Sequence, residues 1–206
     1  QFGRISAWHA GRSIGYAAGD ATLCYEPRLG LRRFLRHLLF LKPDVVLVLD
    51  EVELSRPRGA EIHFPFAIVE PSAYARRIVR NTLRRIGRTR AHFTGRRAGL
   101  LLVAPRALNL GMEKVRCPIA RNYVDRDSEY ERITLSSPAA TRHRFLTLLL
   151  PLGRRDLRGA PAVTEISDGR TVGWSIRTGG REVLVVAPRT GPGFERDGHA
   201  CTGRLL

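Results

Sequence analysis

Short apolar runs, separated by residues typical of turns, dominate the chain. Five of them, each flanked by Pro, Gly or Asp, are 45–49 (VVLVL), 100–104 (LLLVA), 145–150 (FLTLLL), 171–177 (TVGWSIR) and 182–187 (EVLVVA). Runs of this length that are bounded by breakers and contain β-branched residues favour strands over helices. Their continuous apolar character indicates strands covered on both faces. The pattern therefore predicts an all-β fold, an antiparallel β-sandwich.

Two short segments predict hairpins. Gly179-Gly180 separates two strand-like runs, which is a hairpin signal. Lys42-Pro43-Asp44 leads directly into Val45, so we interpret 31–41 (LRRFLRHLLFL) as the first strand of a hairpin, although its spacing also fits an amphipathic helix. The apolar positions of the basic stretch 73–90 do not distinguish a helical period from a strand period. We interpret this stretch as a strand pair or an exposed excursion.

The chain has 206 residues, no internal repeat and no shift of composition typical of a linker. We therefore expect a single domain over 1–206. Gln1 is followed at once by a strand-like segment, and the sequence stops soon after a turn, so we expect a sandwich truncated at both ends. No apolar run approaches the length needed to cross a bilayer, and no membrane partner is expected.

The formal net charge is +16, and nearly all of it is arginine because Lys42 and Lys114 are the only lysines. Two explanations stay open: a polyanion partner, or the arginine bias of a GC-rich genome. Arginine suits carboxylate and sulfate because its planar fork donates two parallel hydrogen bonds. Nucleic acid is the less favoured polyanion, since aromatic residues make up only 7% and no readout motif is present.

Catalytic signatures are missing from the sequence. There is no nucleophile elbow, zinc-protease helix, phosphate loop or dinucleotide fingerprint. Six histidines are scattered and none has a second histidine at metal-ligand spacing, so we assign no metal site and no catalytic residue. Three widely spaced cysteines suggest no disulfide framework, and we expect each to be a small buried residue.

His63, in 61–66 (EIHFPF), is the candidate substrate-binding residue. Two interpretations stay open: a buried, hydrogen-bonded histidine, or a side chain that faces a binding groove. Asp50 and Glu51 follow an apolar run and are interpreted as turn caps. The acidic stretch 125–131 has oxygen ligands for calcium, but interleaved arginines and the missing glycine favour a solvated loop.

Several stretches, taken in order, resemble one family. Segments 16–22 (YAAGDAT), 32–36 (RRFLR) and 40–52 (FLKPDVVLVLDEV) resemble the C-terminal β domain of heparinase II/III-like and oligo-alginate lyase-like proteins. The stretch 61–64 (EIHF) and the leucine-rich run that ends at Pro151 also fit that family. The resemblance is close over the first third of the chain and loose beyond Pro71.

The resemblance implies a bacterial, periplasmic or extracellular polysaccharide lyase that cleaves uronate-containing polymers of the heparin, heparan sulfate or alginate type by β-elimination. In such enzymes the base and the acid lie mostly on an N-terminal α/α toroid, and a zinc site is expected upstream of Gln1. It therefore implies no catalytic residue, metal ligand or cofactor here, an inactive isolated chain, and two partners: the chain's own toroid and an acidic polysaccharide. The alternatives are a stand-alone glycan-binding sandwich and, less favoured, a nucleic-acid-binding domain.

Overall fold

The computed structural model describes residues 2–67, 69–70, 79–95, 98–117, 128–153, 161–167, 171–178, 180–188, 194–196 and 199–201. Within these ranges the regular structure is β, apart from two single-turn 3-10 helices at Thr22–Cys24 and Pro27–Leu29. The strands are β1 Arg4–Ala10, β2 Ile14–Asp20, β3 Leu31–Leu41, β4 Val45–Ala67, β5 Val69–Glu70, β6 Val79–Arg80, β7 Thr82–Ile86, β8 Arg90–Thr94, β9 Ala98–Val103, β10 Asn109–Cys117, β11 Ser128–Gly153, β12 Ala162–Ser167, β13 Thr171–Thr178, β14 Arg181–Pro188, β15 Phe194–Arg196 and β16 His199–Cys201.

Nine of these strands form one antiparallel sheet in the order β1-β2-β3-β4-β11-β9-β8-β7, with β10 paired to β11 outside this path. The long strands β4 and β11 run side by side over nearly their whole length. The first half of β11 has β10 on its other side, and its second half has β9 there. Register shifts in β11 between Ser137 and Arg142 separate the two halves. β-Bulges of this kind bend a strand and increase its local twist.

A single apolar cluster shows how this sheet forms a sandwich. Ile62, Ile133 and Leu135 on β4 and β11 share the cluster with Leu83 on β7 and Leu102 on β9. Phe66 on β4 and Phe93 on β8 lie with ring centroids 5.3 Å apart, although β11 and β9 stand between these strands in the sheet order, so the sheet folds over on itself. The predicted all-β, antiparallel β-sandwich is confirmed.

Both predicted hairpins are present. β3 and β4 pair from Leu41 opposite Val45, directly across the turn that contains Pro43. β13 and β14 pair from Thr178 opposite Arg181, and Gly180 has φ +76, a backbone conformation open to glycine at little cost. The ambiguous run 31–41 is a strand because its residues pair with both β2 and β4.

The chain divides into two compact units, 1–157 and 158–206. The first contains the nine-stranded sheet, and the second contains the β12-β13-β14 sheet and the β15-β16 pair. In the second unit Trp174 and Ile176 are buried, and Gly173 lies so close to the Val185 carbonyl that a side chain there would clash. The single domain over 1–206 stays a prediction.

Two local expectations are wrong. Asp50 and Glu51 do not cap a turn, because β4 continues through them to Ala67. Cys24 is an exposed free thiol and not a small buried residue. No helix among the described residues combines the length and the apolar character needed to span a membrane.

Candidate functional site

His63 lies on the outward face of β4. Side chains alternate between the two faces of a strand, and its neighbours Ile62 and Phe64 belong to the apolar core. The imidazole consequently points away from the core, with 39% of its side chain exposed. The interpretation of His63 as a buried histidine is therefore wrong, and the residue is open to contact from outside.

Two charged neighbours hold the His63 ring. Its Nε2 lies 3.2 Å from a carboxylate oxygen of Glu61, and its Nδ1 lies 3.3 Å from Nη1 of Arg132 on β11. A guanidinium group only donates hydrogen bonds, so Nδ1 accepts and Nε2 donates to Glu61. These contacts select the Nε2–H tautomer of the neutral ring and fix its orientation.

Arg132 is in turn neutralised from the strand on its other side. Its Nε donates to Glu113 on β10 at 2.8 Å, and a second nitrogen of the same guanidinium donates to the same oxygen. This contact raises the pKa of Arg132. Because Glu61 and Glu113 oppose one guanidinium, the cluster around His63 is not cationic while the imidazole is neutral. It offers hydrogen bonds to hydroxyl groups but no net attraction for an anion.

A second polar network crosses four adjacent strands, and sequence reasoning missed it. The Tyr16 hydroxyl on β2 lies 2.8 Å from Nδ1 of buried His37 on β3. The His37 Nε2 is 3.7 Å from the Glu51 carboxylate on β4, which also faces Arg144 on β11 at 3.3 Å and Arg33 at 3.9 Å. Glu51 is thus the shared carboxylate of this network.

The pKa values of Glu51 and Tyr16 in this network are shifted in opposite directions. His37, Arg144 and Arg33 lower the pKa of the Glu51 carboxyl, with His37 the largest contributor. Burial, and the Glu51 charge after it, raise the pKa of the Tyr16 hydroxyl. At neutral pH Tyr16 is therefore a protonated hydrogen-bonding group, not a base. The network ties β2, β3, β4 and β11 together.

Asp50, next to Glu51 on the opposite face of β4, is completely buried. Nε and Nη2 of Arg36 donate to its two oxygens at 2.6 and 3.0 Å, a bidentate pair. Burial raises the pKa of Asp50, and the Arg36 charge opposes this shift. Because both Asp50 oxygens are held by Arg36 and the side chain is completely buried, the carboxylate has a structural role inside the sandwich.

A sequence signal for this pair was available. The turn at Pro43 places Leu41 opposite Val45, and counting back from it along an antiparallel register brings Arg36 opposite Asp50 and Leu35 opposite Glu51. The partners could therefore have been found once the hairpin was accepted.

Other candidate ligand groups do not assemble. Among the described residues, no three His, Cys, Asp or Glu side chains are close enough to hold a metal ion. Residues 125–127 of the proposed acidic loop lie outside the described residues, and Ser128 onward belongs to β11, where Glu131 is buried.

Buried His143 on β11 has a structural role. Its Nδ1 lies 3.1 Å from the Ser137 hydroxyl and its Nε2 lies 3.0 Å from the Ala140 carbonyl. Both ring nitrogens are thus engaged across the irregular segment of β11, where the register shifts. The ring holds this bend and is not available to a ligand.

No family model matches this sequence, and no curated protein matches it either. Solved structures do. Heparan sulfate lyase HepC from Pedobacter heparinus is 15% identical, with a TM-score of 0.62 over 90% of this chain and 28% of its own. A heparinase III with methylated lysines (10% identity, TM-score 0.59) and another heparinase III (12%, 0.58) also match 90% of this chain and 27% of theirs.

These matches are similarities of fold. The resemblance drawn from the sequence is confirmed at that level, because the sandwich is the one found within heparinase III structures. The chain spans little more than a quarter of the length of the proteins it matches. The matches therefore carry the fold, and not the activity of those larger proteins, over to this chain.

Proposed function

We propose that this chain is the β-sandwich portion of a polysaccharide lyase that cleaves a uronate-containing acidic polysaccharide by β-elimination. The observation that carries the proposal is the fold match to heparan sulfate lyase and heparinase III structures over 90% of the chain. Fold alone does not determine chemistry. The ordered resemblance of 16–22 and 40–52 to the same family supports the same conclusion.

The reaction needs groups beyond those described. A base removes the C5 proton of the uronate, the C4–O bond breaks as the C4–C5 double bond forms, and an acid protonates the departing glycosidic oxygen. The described clusters are a neutralised His63–Arg132 group, a bidentate Arg36–Asp50 pair and a protonated Tyr16. None of them supplies this set, so we place the base and the acid on an N-terminal α/α toroid.

His63 is proposed to contact substrate hydroxyls. Glu61 and Arg132 engage both ring nitrogens of His63, but these contacts lie on the exposed outer face of β4 and β11, so a substrate hydroxyl would bind by replacing one of them. The cluster's two carboxylates argue against a direct contact with sulfate. His63 would therefore contribute to alignment of the sugar, as a binding residue and not as a catalytic one.

Assay of the full-length protein that carries this chain tests the proposal. It is incubated with heparan sulfate, heparin and alginate, and the ultraviolet absorbance of the unsaturated uronate end is followed. We expect product from at least one polymer. In the same assay we expect His63→Ala to raise KM about fivefold at unchanged kcat, the effect of one hydrogen bond. His9→Ala, an exposed histidine on β1, is the matched control.

A folded full-length protein that releases no unsaturated product from any uronate polymer would contradict the lyase. Persistent glycan binding in that protein would favour the stand-alone glycan-binding sandwich. A periplasmic or extracellular location is part of the proposal, since the polymer is outside the cytoplasm, and fractionation of the source cells tests it.

A further inference from the structure

The positive charge is concentrated in one stretch of the chain. Between Pro71 and Met112 there are ten arginines and no aspartate or glutamate. The rest of the chain has the other 25 lysines and arginines against all 19 acidic residues. A genomic bias toward arginine would act along the whole chain and would not remove acidic residues from one segment. The stretch therefore calls for a physical explanation of its own.

The structure places part of this stretch at the edge of the large sheet. β7 is the terminal strand in the order β9-β8-β7, and Ile86 pairs with Arg90 across a three-residue turn. Gly87 begins that turn with φ +64, a conformation that glycine adopts without strain. Arg84 and Arg85 on β7 and Arg88 in the turn are exposed. We call these three residues the hairpin arginines.

The hairpin is anchored by its apolar residues. Leu83 and Ala91 are buried, and the Phe93 ring packs against Phe66 of β4 with 5.3 Å between centroids. The Ala104 amide donates to the Thr89 carbonyl at 2.8 Å, which ties the residue after β9 to the hairpin turn. The arginines thus stand on a fixed scaffold, which lowers the entropy cost of binding.

The hairpin arginines lack acidic neighbours. Over the described ranges, no carboxylate lies within ion-pairing distance of any of the three. The Nε of Arg85 donates to the Gly87 carbonyl at 2.9 Å, which turns that guanidinium toward the turn but does not neutralise it. Grouped cations without counter-charges repel one another and attract a polyanion.

We propose that the hairpin arginines bind the sulfate or carboxylate groups of the acidic polysaccharide. The identity of the polymer rests on the proposed function; the surface itself does not. The guanidinium fork fits both oxyanions. A single-stranded nucleic acid fits less well, because the only Phe, Tyr or Trp of the hairpin, Phe93, is packed against Phe66 and is not presented for stacking on a base.

The test compares two triple variants of the full-length protein that lose the same charge. One is Arg84→Gln/Arg85→Gln/Arg88→Gln. The matched control is Arg12→Gln/Arg32→Gln/Arg56→Gln, three exposed arginines for which the described structure shows no carboxylate partner. The dissociation constant for heparin is measured at several salt concentrations, and for single-stranded DNA of equal charge in parallel.

We expect the hairpin variant to bind heparin on the order of tenfold more weakly, with the slope of log Kd against log salt reduced by two to three, by the counterion-release rule for polyanions, about one unit per contact. The control should change far less. Equal weakening of both variants, or unchanged binding by the hairpin variant, would overturn the proposal. So would hairpin-dependent binding to DNA that is tighter than binding to heparin.

Arginines on an edge strand also discourage pairing with other sheets. If the hairpin variant self-associates in sedimentation while its heparin affinity is unchanged, that role replaces the proposed one. If the hairpin substitutions reduce heparin affinity but the full-length wild-type protein shows no eliminase activity, the lyase proposal is refuted. The proposed polyanion-binding surface is still supported in that case.

Discussion

Arginine serves two different purposes in two regions of the large sheet. Where β2, β3, β4 and β11 adjoin, Arg36 has the buried carboxylate of Asp50, and Arg33 and Arg144 share Glu51. At the β7–β8 hairpin, the hairpin arginines have no such partner in the described structure. The number of arginines is similar, but their pairing differs. Paired arginines stabilise the sheet, whereas unpaired ones are available to a partner.

The largest expected effect comes from breaking the buried pair. Arg36→Met leaves the Asp50 carboxylate buried without its cation, and we expect a loss of about 3 kcal/mol in the free energy of unfolding at neutral pH. The native pKa of Asp50 is already raised by burial, so ionised Asp50 disfavours the folded state. The stability linked to protonated Asp50 is therefore fully present at acid pH, and it is lost as the pH rises through the pKa of Asp50 in the folded protein.

Denaturant unfolding at neutral pH and near pH 4 measures this difference, because a protonated Asp50 needs no cation. The defect of Arg36→Met should shrink at the lower pH. The double variant Arg36→Met/Asp50→Leu should recover most of the loss, since neither charge is then left buried alone. A defect that is equal at both pH values would contradict the buried-carboxylate explanation.

A smaller effect is expected from the shared carboxylate. Glu51→Gln keeps the shape but removes the charge that faces His37, Arg144 and Arg33, and should cost about 1 kcal/mol at neutral pH. Because the folded pKa of Glu51 is lowered, its stabilisation is present above its ordinary value of 4.5 and lost as the pH falls through the folded pKa.

The stability of wild type and Glu51→Gln should therefore converge in acid, which a series of denaturant curves between neutral and acid pH would follow. The matched control is Glu53→Gln, two residues along β4 on the same face. Its carboxylate faces only Arg142, at 3.5 Å, in the described structure, and the guanidinium there is largely exposed. We expect a change below about 0.5 kcal/mol for this control. Equal losses for Glu51→Gln and Glu53→Gln would refute the shared-carboxylate network.

The smallest effect on stability is expected from removing the hairpin arginines. The triple variant of the hairpin arginines should change the free energy of unfolding by less than about 1 kcal/mol, because no buried contact is lost and mutual repulsion is relieved. Thermal or denaturant unfolding measures it. A loss similar to that of Arg36→Met would show that the hairpin arginines are structural.

Much of the fold could be predicted from the chain alone. The apolar runs at 45–49 and 145–150 lie within strands, as does 100–104 except for Ala104, and the turns at Pro43 and Gly180 both closed hairpins. These features are local, since strand propensity and turn chemistry act over a few residues. Strand ends were predicted less well: β4 and β11 each run far beyond their apolar run, through charged positions such as Asp50.

The same distinction between local and long-range features applies to the two polar sites. His63 was singled out from its place in a strand-like run, but the sequence did not decide whether its side chain is buried or exposed. The two-residue period of a strand predicts that side chains alternate between two faces, but it does not predict which face is covered. The Glu51 network was missed because Tyr16 and Arg144 are separated in sequence by more than a hundred residues. Only the pairing of β11 with β4 brings Arg144 opposite Glu51.

The sequence by itself determined the succession of short strands, the hairpins, the arginine surplus and the absence of acidic residues between Pro71 and Met112, because each is a property of neighbouring residues. The tertiary structure alone decided which arginines are neutralised and which are not. Ion pairing needs a carboxylate within a few ångströms, and that distance depends on sheet order and register, which join residues from remote parts of the chain.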